Sequence, residues 1–333
     1  TPAFERRPGL AVHRVGRALS GAAASVQYSS VGAFTVARLR PDVIHAHDLL
    51  SPSTAALLAS RGGATPVVAK VLSAGLGGDI DRLLRKPLGR RRLDAMARRF
   101  SAFIALSDEV AAELRDHGVP EARVRRIPNG VDTRVFRPAT PDERARERAA
   151  LGVGEGDLVA LYCGRFYETK HVDVLIAAAH EAPVHLFAFG EGPVRDQLRR
   201  LASDPALGGR VQIRDPVSDT ARLHRAADLY LSASEAEGMS GSVLEAMAAG
   251  TVVVAAPAPG MAELLEGGAG VITADRTPAA FARAIEGLSP AGRERMAATA
   301  RERAQARYSI EAVADRLAEL YRELAPEVAA RAA

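Results

Sequence analysis

Ala233-Ser234-Glu235-Ala236-Glu237-Gly238-Met239-Ser240-Gly241-Ser242-Val243-Leu244-Glu245-Ala246-Met247-Ala248-Ala249-Gly250 decides how the rest of the chain is read. The apolar run Leu229-Tyr230-Leu231 enters it as a buried strand. A loop of small residues follows, and Val243 to Ala249 reads as a helix stopped by Gly250. Thr251-Val252-Val253-Val254-Ala255-Ala256 is the next buried strand. Strand, loop, helix and strand in that order form the repeating unit of a parallel α/β sheet.

The loop has chemistry of its own. Gly238 and Gly241 let a ligand approach the backbone, and the N–H groups of Met239, Ser240, Gly241 and Ser242 are expected to face out of the helix start. That is an anion site suited to a diphosphate. Glu237 and Glu245 flank it. A carboxylate beside a phosphate needs hydroxyl donors of its own, which ribose and hexose supply, so the pair suggests a sugar nucleotide. The same two glutamates could also be solvated charges at a helix start.

Outward from this unit, strands are predicted at 157–163, 184–189, 210–213, 229–233, 251–256 and 270–273. Helices are predicted between them, at 170–180, 193–203, 219–226, 241–249 and 260–266, and then at 277–287, 291–306 and 309–324. Ligands of such a sheet bind at the carboxyl ends of its strands. Pro138 to Pro141 reads as a hinge. Before it, strands are predicted at 42–46, 66–72, 103–106 and 124–127, with helices at 51–59, at 80–99 (interrupted near Pro87 and Gly89) and from the Ser107 cap to about His117. Gly9 to Leu39 reads as helix or loop. No glycine-rich strand–turn precedes it, so the first domain is expected to lack an opening strand and loop, and the 333 residues to transfer poorly.

The paired glutamates followed by Ala246-Met247-Ala248 resemble the signature of the family 4 retaining glycosyltransferases, enzymes of the GT-B fold. Other stretches are similar to that family in the same order: Asp42-Val43-Ile44-His45-Ala46-His47, Ile127-Pro128-Asn129-Gly130-Val131-Asp132, Gly164-Arg165 with Lys170, and Gly190-Glu191-Gly192-Pro193. The resemblance runs from about Asp42 to Tyr321, and His171 stands where the family usually has glycine.

What the resemblance implies is specific. The fold is α/β, with two Rossmann-like domains whose parallel sheets face a cleft. An acceptor-side domain spans 1–138, a nucleotide-sugar domain 139–306, and 307–333 forms a helix packing back toward the first domain. Glu237 lies near the transferred sugar, and Glu245 holds the ribose hydroxyls. His47 reaches the sugar from the first domain, and if the strand ran through both His45 and His47 the two would share a face, so it is expected to end between them. Arg165 and Lys170 clamp the departing diphosphate. Gly164, Gly190, Gly192, Val217, Gly238, Met239, Ser240 and Gly241 complete the donor site. No metal and no cofactor is expected, the nucleoside-diphosphate sugar being the donor substrate. The acceptor, whether glycan, lipid or small molecule, cannot be read.

Composition excludes other classes. The apolar fraction of 47% suits sizeable cores, and a net charge of +4 permits phosphate or anionic lipid without demanding nucleic acid. Tryptophan is absent, which disfavours stacking platforms for single strands. One cysteine, Cys163, allows no internal disulfide framework. Neither a signal-peptide pattern nor an apolar stretch of spanning length is read, so the expected location is cytoplasmic. The arginine-rich run 82–99 is either a solvated face or a peripheral contact with the inner face of the membrane. A sugar-nucleotide epimerase and a non-catalytic sugar-nucleotide-binding protein are the alternative functions. A dehydrogenase is disfavoured, because no Gly-x-Gly-x-x-Gly opens a helix with an acidic residue about twenty positions on.

Overall fold

The computed structural model describes residues 4–15, 20–60, 65–235 and 237–326. It divides into two compact units: residues 1–127 with 316–333, and Pro128–Asp315.

The first unit opens with β1 (Phe4–Arg7) and β2 (Leu10–His13), an antiparallel pair, followed by the helix Gly21–Leu39. This corrects the helix-or-loop expectation for residues 9 to 39, since Leu10–His13 is a strand. Its main sheet is parallel, in the order β3 (Ile44–His47), β4 (Val67–Val71), β5 (Ala102–Ala105) and β6 (Val124–Arg126). β4 and β5 read as near-continuous apolar runs because residues on both of their faces are buried. The basic stretch is two helices, Asp79–Leu84 and Gly89–Arg99, parted at Pro87. Leu83, Leu93 and Met96 sit in the core with Phe100 and Phe103, whose rings stack at 5.7 Å. Ser107 caps the helix Asp108–Asp116 by accepting from Val110 N at 3.3 Å. The helix Ile310–Leu324 contributes its residues from Arg316 on to this unit.

The second unit holds six parallel strands: β7 (Val159–Cys163), β8 (His185–Phe189), β9 (Val211–Arg214), β10 (Leu229–Ser232), β11 (Val252–Ala255) and β12 (Gly270–Ile272). Their spatial order is β12-β11-β10-β7-β8-β9. The chain builds outward from β7 to β9, then crosses back to lay β10 on the other side of β7. The order therefore reverses between β7 and β10, and such a switch point opens a crevice at the carboxyl ends of the strands. Buried Arg148 and partly buried Asp228 fix the other end of the sheet. Arg148 is 3% exposed, and its guanidinium bonds the carbonyls of Gly154, Ala226 and Asp157 and pairs with Asp228 at 3.3 Å. Asp228 in turn accepts from Val159 N at 2.9 Å. Among the described residues no helix is long and apolar enough to cross a membrane.

Candidate active site

A pocket of about 310 Å³ opens at the switch point of the second unit. Cys163, Gly164 and Arg165 reach it from the end of β7, Phe189, Gly190 and Glu191 from the end of β8, and Pro216, Val217 and Thr220 from the segment after β9. Ser242 and Glu245 close it from the helix Gly241–Ala249. Thus Gly164, Arg165, Gly190, Val217 and Glu245, separated by up to 81 positions in sequence, share one cavity.

Two glycines there are required by close approach. A Cβ on Gly190 would lie 1.9 Å from the Gly164 carbonyl oxygen, and one on Gly192 would lie 2.2 Å from that of Phe166. The loops after β7 and β8 are laced through Gly164 N to Phe189 O at 3.0 Å and Phe166 N to Glu191 O at 2.7 Å. Gly190 lines the pocket, whereas Gly192 packs the loop behind it.

The start of the helix Gly241–Ala249 has the form that an anion site requires. Ser240 is the N-cap residue, but its side chain caps nothing, which leaves the first-turn donors for a ligand. A Cβ added to Gly241 would meet nothing within 4 Å. The helix begins at Gly241, so Met239 and Ser240 lie in the loop before it. The Ser242 hydroxyl and the Tyr230 hydroxyl both donate to the Cys163 carbonyl at 3.2 Å, bracing the helix start against β7.

Glu245 is half-buried one turn into the helix, where desolvation pushes its carboxyl up to about 6; the Thr220 hydroxyl, hydrogen-bonded to it, opposes that rise. A carboxylate held at this cost and open to a cavity is suited to accept hydroxyl donors.

Glu237 and Lys170 form an ion pair, both about four-fifths shielded. The loop carrying Glu237 is fastened at three places. Arg276 donates to the carbonyls of Ala233 at 2.9 Å, Ser234 at 3.3 Å and Pro257 at 3.1 Å. Glu235 N donates to Thr169 O at 2.9 Å, and its carboxylate meets His171 Nε2 at 3.2 Å. The Asn129 side-chain amide donates to Met239 O at 3.0 Å. Gly238 lies inside this fastened stretch. No local pattern marks Asn129, Thr220 or Arg276 as site residues, and nothing in sequence links Asn129 to Met239. Arg165 is exposed, with its guanidinium 5.2 Å from the Tyr167 ring centroid.

His171 has φ 47°, the left-handed region that favours glycine. Glycine, expected at this position from the resemblance, adopts that region without the steric cost. Because an L side chain in that region costs roughly 1–2 kcal/mol, H171G is expected to raise the stability of the second unit by about 1 kcal/mol. The half-exposed His171–Glu235 contact it removes contributes little. Unfolding in denaturant measures this, and an unchanged midpoint would contradict it.

His47 belongs to the first unit, where β3 runs through both His45 and His47. The expected break between them does not occur, and their rings stack on one face at 4.6 Å and 24°. Burial and the neighbouring Lys70 hold the His47 imidazole below its ordinary value. Among the described residues no three His, Cys, Asp or Glu side chains gather to hold a metal ion.

The arginines of 82–99 are largely committed. Arg85 pairs with Asp81 at 3.0 Å and Arg90 with Asp94 at 2.9 Å, while Arg82 lies 3.9 Å from Asp79. Arg92 and Arg99 donate to the carbonyls of Leu50 and Ser60. Lys86, Arg91 and Arg98 are exposed and have no ion-pair partner among the described residues.

Comparison with known proteins follows the two units. Residues 2–135 match the family described as Glycosyltransferase Family 4, and residues 157–289 the one described as Glycosyl transferases group 1. The chain is 33% identical over 322 residues to D-inositol 3-phosphate glycosyltransferase 1 of Catenulispora acidiphila, covering 88% of this chain and 75% of that protein. Among solved structures, sucrose-phosphate synthase from Thermosynechococcus elongatus is similar with a TM-score of 0.82 at 24% identity, over 97% of this chain and 86% of that one. Anabaena HepE in complex with UDP-glucose is similar with a TM-score of 0.75 at 22% identity, over 88% and 81%. At these identities the two structures speak for the fold, which is GT-B, with two Rossmann-like domains.

Proposed function

The chain belongs to the family 4 glycosyltransferases, and on that premise we propose that it moves a sugar from a nucleoside-diphosphate sugar to an acceptor, with retention of anomeric configuration and without a metal ion. The observation that carries this is Glu245, a half-buried carboxylate facing a pocket that ends at an uncapped helix start. In the proposed complex the base lies against Val217 and Pro216, the ribose hydroxyls donate to Glu245, and the diphosphate rests on the N–H groups at Gly241 and Ser242. Arg165 and Lys170 neutralise the charge that grows on the leaving diphosphate, the task a metal performs in other transferases. Lys170 exchanges its partner Glu237 for phosphate, and Glu237 turns to the sugar hydroxyls. His47, carried by the first unit, is given its role at the sugar by the family resemblance. HepE's UDP-glucose complex supports a nucleotide sugar as the donor class.

Incubation with a panel of nucleotide sugars, followed by mass spectrometry of bound ligand and hydrolysis products, tests the donor. The name of the Catenulispora relative makes a phosphorylated cyclitol the first acceptor to try. EDTA is expected to leave transfer intact, and the anomeric signal of the product is expected to match that of the donor. Loss of activity restored by a divalent cation, or an inverted product, would remove those parts of the proposal.

A lipid contact through 82–99 rests on Lys86, Arg91 and Arg98. At roughly 1 kcal/mol per cation near an anionic surface, three give only weak, salt-sensitive binding. Flotation with vesicles of one-third anionic lipid is expected to carry a minor fraction of the protein at low salt and none at physiological salt. Complete flotation at physiological salt would show a membrane face larger than these charges provide.

A further inference from the structure

We propose that Tyr321, near the carboxyl end of the helix Ile310–Leu324, is a positioning residue that fixes the His47 ring by holding His45. The inference rests on the sugar-side role given to His47 above.

Tyr321 and His45 are 276 positions apart, yet the phenol oxygen lies 2.5 Å from His45 Nδ1, and the rings meet edge-to-face with centroids 5.9 Å apart. His45 then stacks on His47. The order of contact is helix, first ring, second ring. His47 is the last residue of β3 and is only partly enclosed, so the strand end alone leaves its ring room to turn. A stacked neighbour limits it only if that neighbour is itself immobile, and the Tyr321 hydrogen bond makes it so.

The chemistry of the pair suits a fixed brace. Burial, with His47 and Lys70 nearby, holds the His45 imidazole down to about 4, and burial pushes the Tyr321 phenol up. Both groups are neutral at working pH and share one proton-bearing contact. His45 Nε2 is buried without a partner among the described residues, so Nδ1 carries the ring's hydrogen bond. A second contact docks the same helix, Arg125 to Glu323 at 2.8 Å, and it lies apart from the histidines. It supplies the control.

Y321F retains the ring and its packing and removes only the hydroxyl. Measured on the full chain with donor hydrolysis as the readout, it is expected to lower kcat about tenfold, as a misplaced reacting group does, with KM for the donor within twofold. The 15N shifts of the His45 and His47 imidazoles should both change. E323Q should leave kcat and those shifts as in the wild type. Wild-type kcat and imidazole shifts in Y321F, with H47A impaired, would overturn the proposal while leaving the role of His47 standing. An equal fall in E323Q would reduce Tyr321 to a helix anchor and overturn it too. Wild-type kcat in H47A would instead remove the premise about His47.

Discussion

Alanine at Arg165 or Lys170 is expected to lower kcat by about 10²–10³-fold, the usual cost of removing one preorganised group from a developing charge. In R165A the donor KM should move much less, because the diphosphate carries more negative charge as it departs than in the bound sugar nucleotide. The two variants should not be equal. Arg165 is an exposed fork over Tyr167, and its loss removes one cation. Lys170 is paired with Glu237, so K170A also leaves a shielded carboxylate unpaired beside an anionic ligand. K170A should therefore be the slower enzyme and should weaken donor binding as well. The double variant should fall short of the product of the two losses, since both act on one charge. Wild-type turnover in both folded variants would contradict the clamp.

E245A is expected to weaken donor binding by roughly 1.5–3 kcal/mol, the range for hydrogen bonds to a charged group, or about ten- to a hundredfold in Kd. The raised carboxyl adds a pH signature. The free protein protonates Glu245 near 6, and the ionised form is the better acceptor for two hydroxyls, so donor affinity should fall as pH drops below about 6. Stability responds with the opposite sign. The folded carboxyl binds its proton more tightly than the unfolded one at 4.5, so this group's contribution to stability rises as pH falls from about 6 to 4.5. In E245Q both dependences should flatten. Calorimetric titration with a nucleotide sugar at pH 5, 6 and 7 separates them, and an affinity independent of pH in the wild type would remove Glu245 from the ribose.

How far the sequence carried these assignments differs between the units. In the second, apolar runs bounded by glycine and charge gave strands at 229–233 and 251–256 where the structure has Leu229–Ser232 and Val252–Ala255, and the helix 241–249 coincides with Gly241–Ala249. Strands buried on both faces and helices capped by Thr277 and Ser289 leave a plain local record. The strand order left none. That β10 returns to the far side of β7 is a matter of crossover, and the pocket at that reversal is a consequence of topology. The first unit was less legible at its start, because Phe4–Arg7 and Leu10–His13 are short, largely exposed strands without an alternating apolar face. The three fastenings of the Glu237 loop come from Asn129, Thr169 and Arg276, residues whose local sequence is ordinary turn or loop. Their contribution exists only once the units of the sheet are stacked, and no spacing rule records it. His171 is the instructive intermediate case: the departure from glycine was visible, but its conformational cost became readable only with φ in hand.

The most direct measurement is equilibrium titration of the wild type and E245A in parallel against a panel of nucleoside-diphosphate sugars that spans uridine, guanosine and adenosine bases. Binding of one base class by the wild type, weakened at least tenfold in E245A with the fold intact, is the expected result. No binding of any member by the folded wild type, or equal affinity in the two proteins, would contradict a donor site at the switch point of the second unit.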